Sequence, residues 1–203
     1  DCQKDLLPGK ALGLLFASPS TRTRLSFQTG ISQLGGSAQV YNPQELQLKN
    51  KESWKDTGEM ISRFLDGFAI RLYNLKAQMG TDTYSYGDAR KVLRALAEYA
   101  NVPIINMLDD QEHPCQIMGD LLTMIEKFGG FEGVKKKKIV MSWAYDERAK
   151  SAGVPQTMIA AAGTLGMNIV LAYPNEPGNY DVDPEYFSFA QKAAKENGGS
   201  ITV

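Results

Sequence analysis

Short apolar runs and helical stripes alternate along this chain. Leu12 to Phe16 is an apolar run, and Leu25, Ile31 and Leu34 follow at spacings that can share one helical face. Gly35-Gly36 stops that stripe. The pattern predicts a strand over 11–16 and a helix over about 21–34. Residues 38–41 read as a short strand and 43–51 as a polar loop. Ser53 suits the cap of a helix running to about 65, with Met60, Ile61, Phe64 and Leu65 facing inward. A strand over 68–73 follows, with Arg71 near its carboxyl end. Residues 76–87 are polar and interrupted by Gly80 and Gly87, so they read as loop. Asp88 suits the cap of a helix to about 100, with Val92, Leu93, Leu96 and Tyr99 at helical spacing.

Further on, 103–107 read as a strand and 109–113 as a loop. Pro114 suits the first position of a helix to 128, which Gly129-Gly130 ends. Met118, Leu121, Leu122 and Ile125 form its expected core stripe. Lys135 to Lys138 read as a solvated loop. Strands over 139–143, 168–173 and from 201 then flank a small-residue helix over 154–165 and a helix from Pro184 to about 196. Strands alternating with helices predict an α/β fold, a parallel sheet flanked by helices, in two successive domains. The break falls near 129–138, giving domains over 1–133 and 134–203. The chain stops as a strand begins, so the second domain reads as incomplete and the sequence as a piece of a longer protein.

Composition narrows the function classes. Of 203 residues 43% are hydrophobic and 22% charged, and the net charge is −1. That balance suits a water-soluble globular protein and gives no hint of nucleic acid or an anionic membrane as partner. No run reaches membrane-spanning length. Cys2, Cys115 and the single histidine, His113, fit no metal-ligand spacing. They point to a reducing, cytoplasmic setting, with no metal and no cofactor expected.

The chemistry concentrates where the first strand meets the first helix, at Phe16-Ala17-Ser18-Pro19-Ser20-Thr21-Arg22-Thr23-Arg24. Ser20 is a good N-cap residue, and the turn after it carries free backbone N–H groups. Helix N-termini favour anions, and guanidinium forks match phosphate oxygens. Arginine opposes the macrodipole there, so two arginines cost stability unless an anion offsets them. The run therefore predicts a phosphate or carboxylate site. In a parallel sheet, ligands sit at the carboxyl ends of the strands. Arg71 lies at one such end, and His113-Pro114-Cys115-Gln116 follows another. An anion clamp, an arginine, an imidazole and a carboxamide could share one crevice. Read plainly, His113 could instead cap its helix, Arg71 could be a surface residue and Cys115 is packing.

The run 20–24 resembles the Ser-x-Arg-Thr-Arg signature of the aspartate and ornithine carbamoyltransferases. The likeness continues through Leu25-Ser26-Phe27 to Leu34-Gly35-Gly36, and His113-Pro114-Cys115-Gln116 resembles the family's His-Pro-x-Gln motif. The resemblance implies transfer of a carbamoyl group from carbamoyl phosphate to a small amine, ornithine-like or another amino acid. Ser20, Thr21, Arg22 and Thr23 would hold the phosphate. Arg71 would span phosphate and carbonyl oxygen. His113, assisted by Thr23, would donate to the carbonyl oxygen, and Gln116 would bind the carbamoyl amino group. Lys51, beside Glu52-Ser53, looks like the family's loop supplied in trans, and the resemblance implies a homotrimer. Met141-Ser142-Trp143-Ala144-Tyr145 and Val154-Pro155-Gln156 look more like the branch with a knotted second domain. That branch includes enzymes for acetylated or succinylated ornithine. Thr21 departs from the acylornithine enzymes, which carry a larger apolar residue there, so ordinary ornithine or another amine stays open. The family's later substrate motif would lie beyond Val203, so the chain alone would bind phosphate without turning over. Two alternatives stand beside this reading. One is a non-catalytic binder of phosphate or carbamoyl phosphate. The other is an unrelated phosphate-binding α/β enzyme, though no Gly-x-x-x-x-Gly-Lys-Thr motif is present.

Overall fold

The apolar run at 12–16 is nearly unbroken because the strand it forms is covered on both faces. The computed structural model describes residues 6–47, 52–143, 151–174 and 182–203. In it β1 (Ala11–Phe16) is buried from Gly13 onward. Leu15 packs with Ile70 and Leu72, while its neighbours Leu14 and Phe16 pack with Ala69 and Met107. Successive side chains thus enter two separate clusters, as alternation along a strand requires.

The chain forms two compact units, 1–110 and 111–203. In the first, β1 is followed by α1 (Thr21–Gln33), β2 (Ser37–Tyr41), α2 (Trp54–Ile61), β3 (Gly67–Arg71), α3 (Leu75–Met79), α4 (Asp88–Tyr99) and β4 (Ile104–Leu108). The sheet order is β2-β1-β3-β4 and every pair is parallel. Parallel neighbours need long crossovers, which the helices supply. The second unit holds α5 (Pro114–Phe128), α6 (Phe131–Lys135), β5 (Lys138–Ser142), α7 (Gly153–Thr164), β6 (Asn168–Ala172), α8 (Pro184–Asn197) and β7 (Ser200–Thr202). Its sheet, β5-β6-β7, is parallel too. Both units are therefore the helix-flanked parallel sheets that the alternation predicts. Small residues let α7 and α8 approach closely: a Cβ on Gly163 would run into the carbonyl oxygen of Ala190. No helix among the described residues is long and apolar enough to cross a membrane.

Several local expectations differ from the structure. The compact units part between Asp110 and Gln111, whereas the sequence pattern suggests a break at 133/134. The reason is α5, whose Ile117 joins the core of the second unit with Ile159, Met167 and Leu171. The stripe of α5 is also one residue out of phase with the expected one. Ile117, Leu121, Met124, Ile125 and Phe128 face that core, and Met118 and Leu122 are 69% and 56% exposed. The α2 helix ends at Ile61, not near 65. Arg63 N and Phe64 N bond only three residues back, to Met60 O and Ile61 O. That tightening changes the phase, so Ile61 is buried while Met60 and Phe64 are 41% and 76% exposed. Leu25 is exposed as well, and Ile31 alone is buried on α1. The predicted loop after Lys76 contains α3, capped by Asn74 Oδ1 on Ala77 N and ended by Gly80 at φ 72°. Lys135 closes α6 and Lys138 opens β5, so the lysine run is not a single loop.

Candidate functional site

The ladder of β1 and β3 runs to the edge of the site. Phe16 pairs with Arg71, and Ala17 N donates to Arg71 O at 3.0 Å. Beyond that bond the chain bends through Ser18-Pro19 into α1. Ser20 takes the N-cap position in extended conformation (φ −153°, ψ 106°), but its side chain makes no capping bond. The first intrahelical bond is Arg24 N to Ser20 O at 3.2 Å. The N–H groups of Thr21, Arg22 and Thr23 precede it and have no intrahelical acceptor. No acidic residue sits in this first turn. Thr21 and Arg22 are exposed and Thr23 is half-buried. The helix therefore begins with a positive dipole end, two hydroxyls, an uncommitted Ser20 hydroxyl and an exposed guanidinium, with nothing acidic to balance them.

Arg71 stands one strand away. The pairing of β3 with β4 shifts at this residue: Ile70 pairs with Asn106 and Arg71 with Leu108, leaving Met107 as the extra residue. Such irregularities re-aim a side chain where a strand ends. Arg71 is half-buried, its Nε is buried without a hydrogen-bond partner, and its guanidinium carbon lies 5.9 Å from the Tyr73 ring centre. Burial pulls its pKa below the ordinary guanidinium value.

A second arginine shows what structural pairing looks like in the same unit. Arg90 on α4 is ion-paired with Asp109, whose carboxylate is fully buried, and its Nη2 donates to Asp109 Oδ1 at 3.1 Å. Next to it, Asp110 accepts from the N–H groups of Gly87 (2.6 Å), Ala89 (3.3 Å) and Arg90 (3.2 Å), and from Tyr84 Oη (3.2 Å). Asp110, from beyond β4, therefore caps α4. Asp88, the expected cap, accepts instead from Ser85 N at 2.7 Å. Burial raises the Asp110 pKa despite those donors. Neither Arg22 nor Arg71 has an acidic partner among the described residues.

The other expected site residues belong to the second unit. His113 is buried at the N-cap position of α5, yet its side chain makes no capping bond. Its backbone N donates to Thr157 Oγ1 at 2.8 Å. Buried Gln156 holds the same segment, donating to Gln111 O at 2.7 Å and accepting from Asp183 N at 3.0 Å. Gln116 is exposed one turn into α5, where its Nε2 donates to Asp120 Oδ1 at 2.9 Å. Cys115 between them is half-buried, and burial pushes its thiol pKa up, away from a reactive thiolate. Lys51 lies outside the described residues, as do Ala144, Tyr145 and Cys2.

The structure thus brings Ser20, Thr21, Arg22, Thr23 and Arg71 to one sheet edge, and puts His113 and Gln116 together at the start of one helix. Beside the turn, a cavity of about 480 Å³ is lined by Arg24, Phe16, Pro19, Tyr41 and Glu45 among others, but by neither Arg22 nor Arg71. The uncommitted donors at the turn, not that cavity, are what an anion would meet. Sequence reasoning missed the supports: Asp109, Asp110, Gln156 and Thr157. The doublet Asp109-Asp110 after an apolar strand was the one visible signal, because adjacent buried carboxylates need cationic or N–H partners.

Comparison with known proteins places the chain in a family. The family described as "Aspartate/ornithine carbamoyltransferase, carbamoyl-P binding domain" matches residues 1–126. An ornithine carbamoyltransferase of Symbiobacterium thermophilum is 41% identical over 197 residues, covering 97% of this chain and 55% of that protein. The structure of ornithine carbamoyltransferase from Pyrococcus furiosus superposes with a TM-score of 0.76 at 34% identity, over 97% of this chain and 54% of the other. A mutant N-acetyl-L-ornithine transcarbamylase complexed with carbamyl phosphate and N-succinyl-L-norvaline gives 0.82 at 29% identity, over 98% and 61%. The chain spans about half the length of the curated relatives it matches.

Proposed function

The chain belongs to the aspartate/ornithine carbamoyltransferase family, and on that premise we propose that the protein transfers the carbamoyl group of carbamoyl phosphate to the amine of ornithine or an ornithine-like amino acid, releasing phosphate. The observation that carries this is the pair Arg22 and Arg71: one guanidinium in the first turn of α1 and one at the end of β3, without acidic partners among the described residues, at a helix N-terminus that has no side-chain cap. A small dianion supplies what all of them lack.

The reaction needs donors in place more than it needs a protein nucleophile. The neutral amine attacks the carbonyl carbon, charge gathers on the carbonyl oxygen, and the bond from that carbon to the bridging oxygen breaks; phosphate leaves with the electron pair and takes up the proton the amine sheds. In this reading Ser20, Thr21, Arg22 and Thr23 hold the phosphate. Arg71 reaches both phosphate and carbonyl oxygen, where its charge counts most as the oxyanion forms. His113 and Thr23 donate to that oxygen, and Gln116 orients the carbamoyl amino group. The functional division would fall later than the break between the compact units: residues 1–133 would serve carbamoyl phosphate and 134–203 part of the amine site. Lys51 would enter the site of a neighbouring subunit in a homotrimer.

The amine is the open choice. Kinship with the Symbiobacterium protein favours ornithine, and Thr21 is compatible with it. The backbone likeness to the N-acetyl-L-ornithine enzyme favours an acylated amine. Phosphate release by the full-length protein, given carbamoyl phosphate with ornithine, N-acetylornithine, N-succinylornithine or aspartate in turn, separates these. Release with one amine identifies the substrate. No release with any, while carbamoyl phosphate still binds, would favour a non-catalytic binding protein.

A further inference from the structure

Among the described residues of the first unit, two buried donors make no hydrogen bond, Ser18 Oγ and Arg71 Nε. They lie at neighbouring strand ends. Ala17 N to Arg71 O is the last bond of that ladder, and Ser18 is the next residue along. A buried polar group without a partner costs about 1–3 kcal/mol, and nearly all such groups find one. Several buried polar side chains of this unit do so. Thr57 Oγ1 donates to Glu52 Oε1, and Asp109 and Asp110 are held by Arg90 and by the N–H groups that open α4. The two orphans do not satisfy each other, although a serine oxygen could accept from a guanidinium.

The chemistry of the pair selects what would complete it. Arg71 Nε can only donate. An apolar group would satisfy neither atom, and a cation would meet the Arg71 charge. An oxyanion with several acceptor oxygens satisfies both. We infer that Ser18 is a further substrate-binding residue, its hydroxyl donating to the same bound anion that Arg71 Nε contacts. This rests on the proposed function, which takes that anion to be carbamoyl phosphate. Ser18 lies two residues before the signature that begins at Ser20. It would extend the cradle from the helix N-terminus back onto the end of β1.

The test is Ser18→Ala in the full-length protein. Carbamoyl phosphate and inorganic phosphate are titrated separately by calorimetry, and the melting temperature is measured without ligand. Affinity for carbamoyl phosphate should fall roughly ten- to a hundredfold, the usual worth of a hydrogen bond to a charged group. The ligand-free melting temperature should stay level or rise, since the variant removes an unsatisfied hydroxyl. Unchanged affinity overturns the inference. So does a loss of affinity that comes only with a lowered ligand-free melting temperature, which would mark a structural hydroxyl. The wild-type titration keeps the two claims apart. If it shows no binding of either anion, the proposed function fails; if it binds and Ser18→Ala binds equally well, only the role of Ser18 fails.

Discussion

Two arginines of the first unit should respond to the same substitution with opposite signs. Arg90→Met leaves the fully buried Asp109 without its cation, and stranding one member of a buried pair typically costs about 3–5 kcal/mol. For a domain of this size that lowers the melting temperature by on the order of 10 °C or more. Arg71→Met strands nothing among the described residues, because none of their carboxylates is paired with it. Exchanging a half-buried, unpaired guanidinium for an apolar chain of similar length should be neutral or stabilising. Ligand reverses the comparison. At a hundredfold excess over its dissociation constant, phosphate should stabilise the wild type by about 2.7 kcal/mol. Arg90→Met should keep most of that increment and Arg71→Met should lose most of it. Thermal unfolding followed by circular dichroism, with and without phosphate, reads both effects. If Arg71→Met destabilises the ligand-free protein as much as Arg90→Met does, Arg71 is structural and the reasoning is wrong.

Four further outcomes follow from the geometry. Gln156→Leu leaves Gln111 O and Asp183 N without their partner, so urea unfolding should show a loss of about 1–3 kcal/mol or more. Gly163→Ala forces α7 off the Ala190 carbonyl and should cost about 1–3 kcal/mol in the same assay, as overpacking does. Lys10 and the N–H of Ala11 hold the Asp66 carboxyl below its ordinary pKa. Its contribution is therefore present above the unfolded-state value and lost as pH falls through the folded one. The stability gap between wild type and Asp66→Asn should be constant near neutrality and close in acid, and a gap independent of pH would refute that linkage. His113→Asn should lower kcat by about a hundredfold while leaving calorimetric affinity for inorganic phosphate unchanged, because the imidazole is assigned to the developing oxyanion.

Sequence exposed the strands and the turn into α1 more clearly than the supports around them. β1 was legible because both faces are covered, so Leu14, Leu15 and Phe16 stand in one run. The start of α1 was legible because hydroxyls and arginines without acids are unusual at a helix N-terminus. Phase was harder to read: on α5 the apolar set 117, 118, 121, 122 and 125 permits two stripes, and only packing selects the one through Ile117. The cap on α4 could not be read locally, since Asp110 supplies it from beyond the next strand. The bulge at Arg71 leaves no mark in the sequence, because it is a property of pairing.

Calorimetric titration of carbamoyl phosphate into the wild type and into Arg22→Ala tests the centre of the account. The wild type should bind and the variant should show no measurable heat, because the phosphate loses its bidentate partner at the front of α1. Equal affinity in the two proteins would contradict the account and place the anion elsewhere.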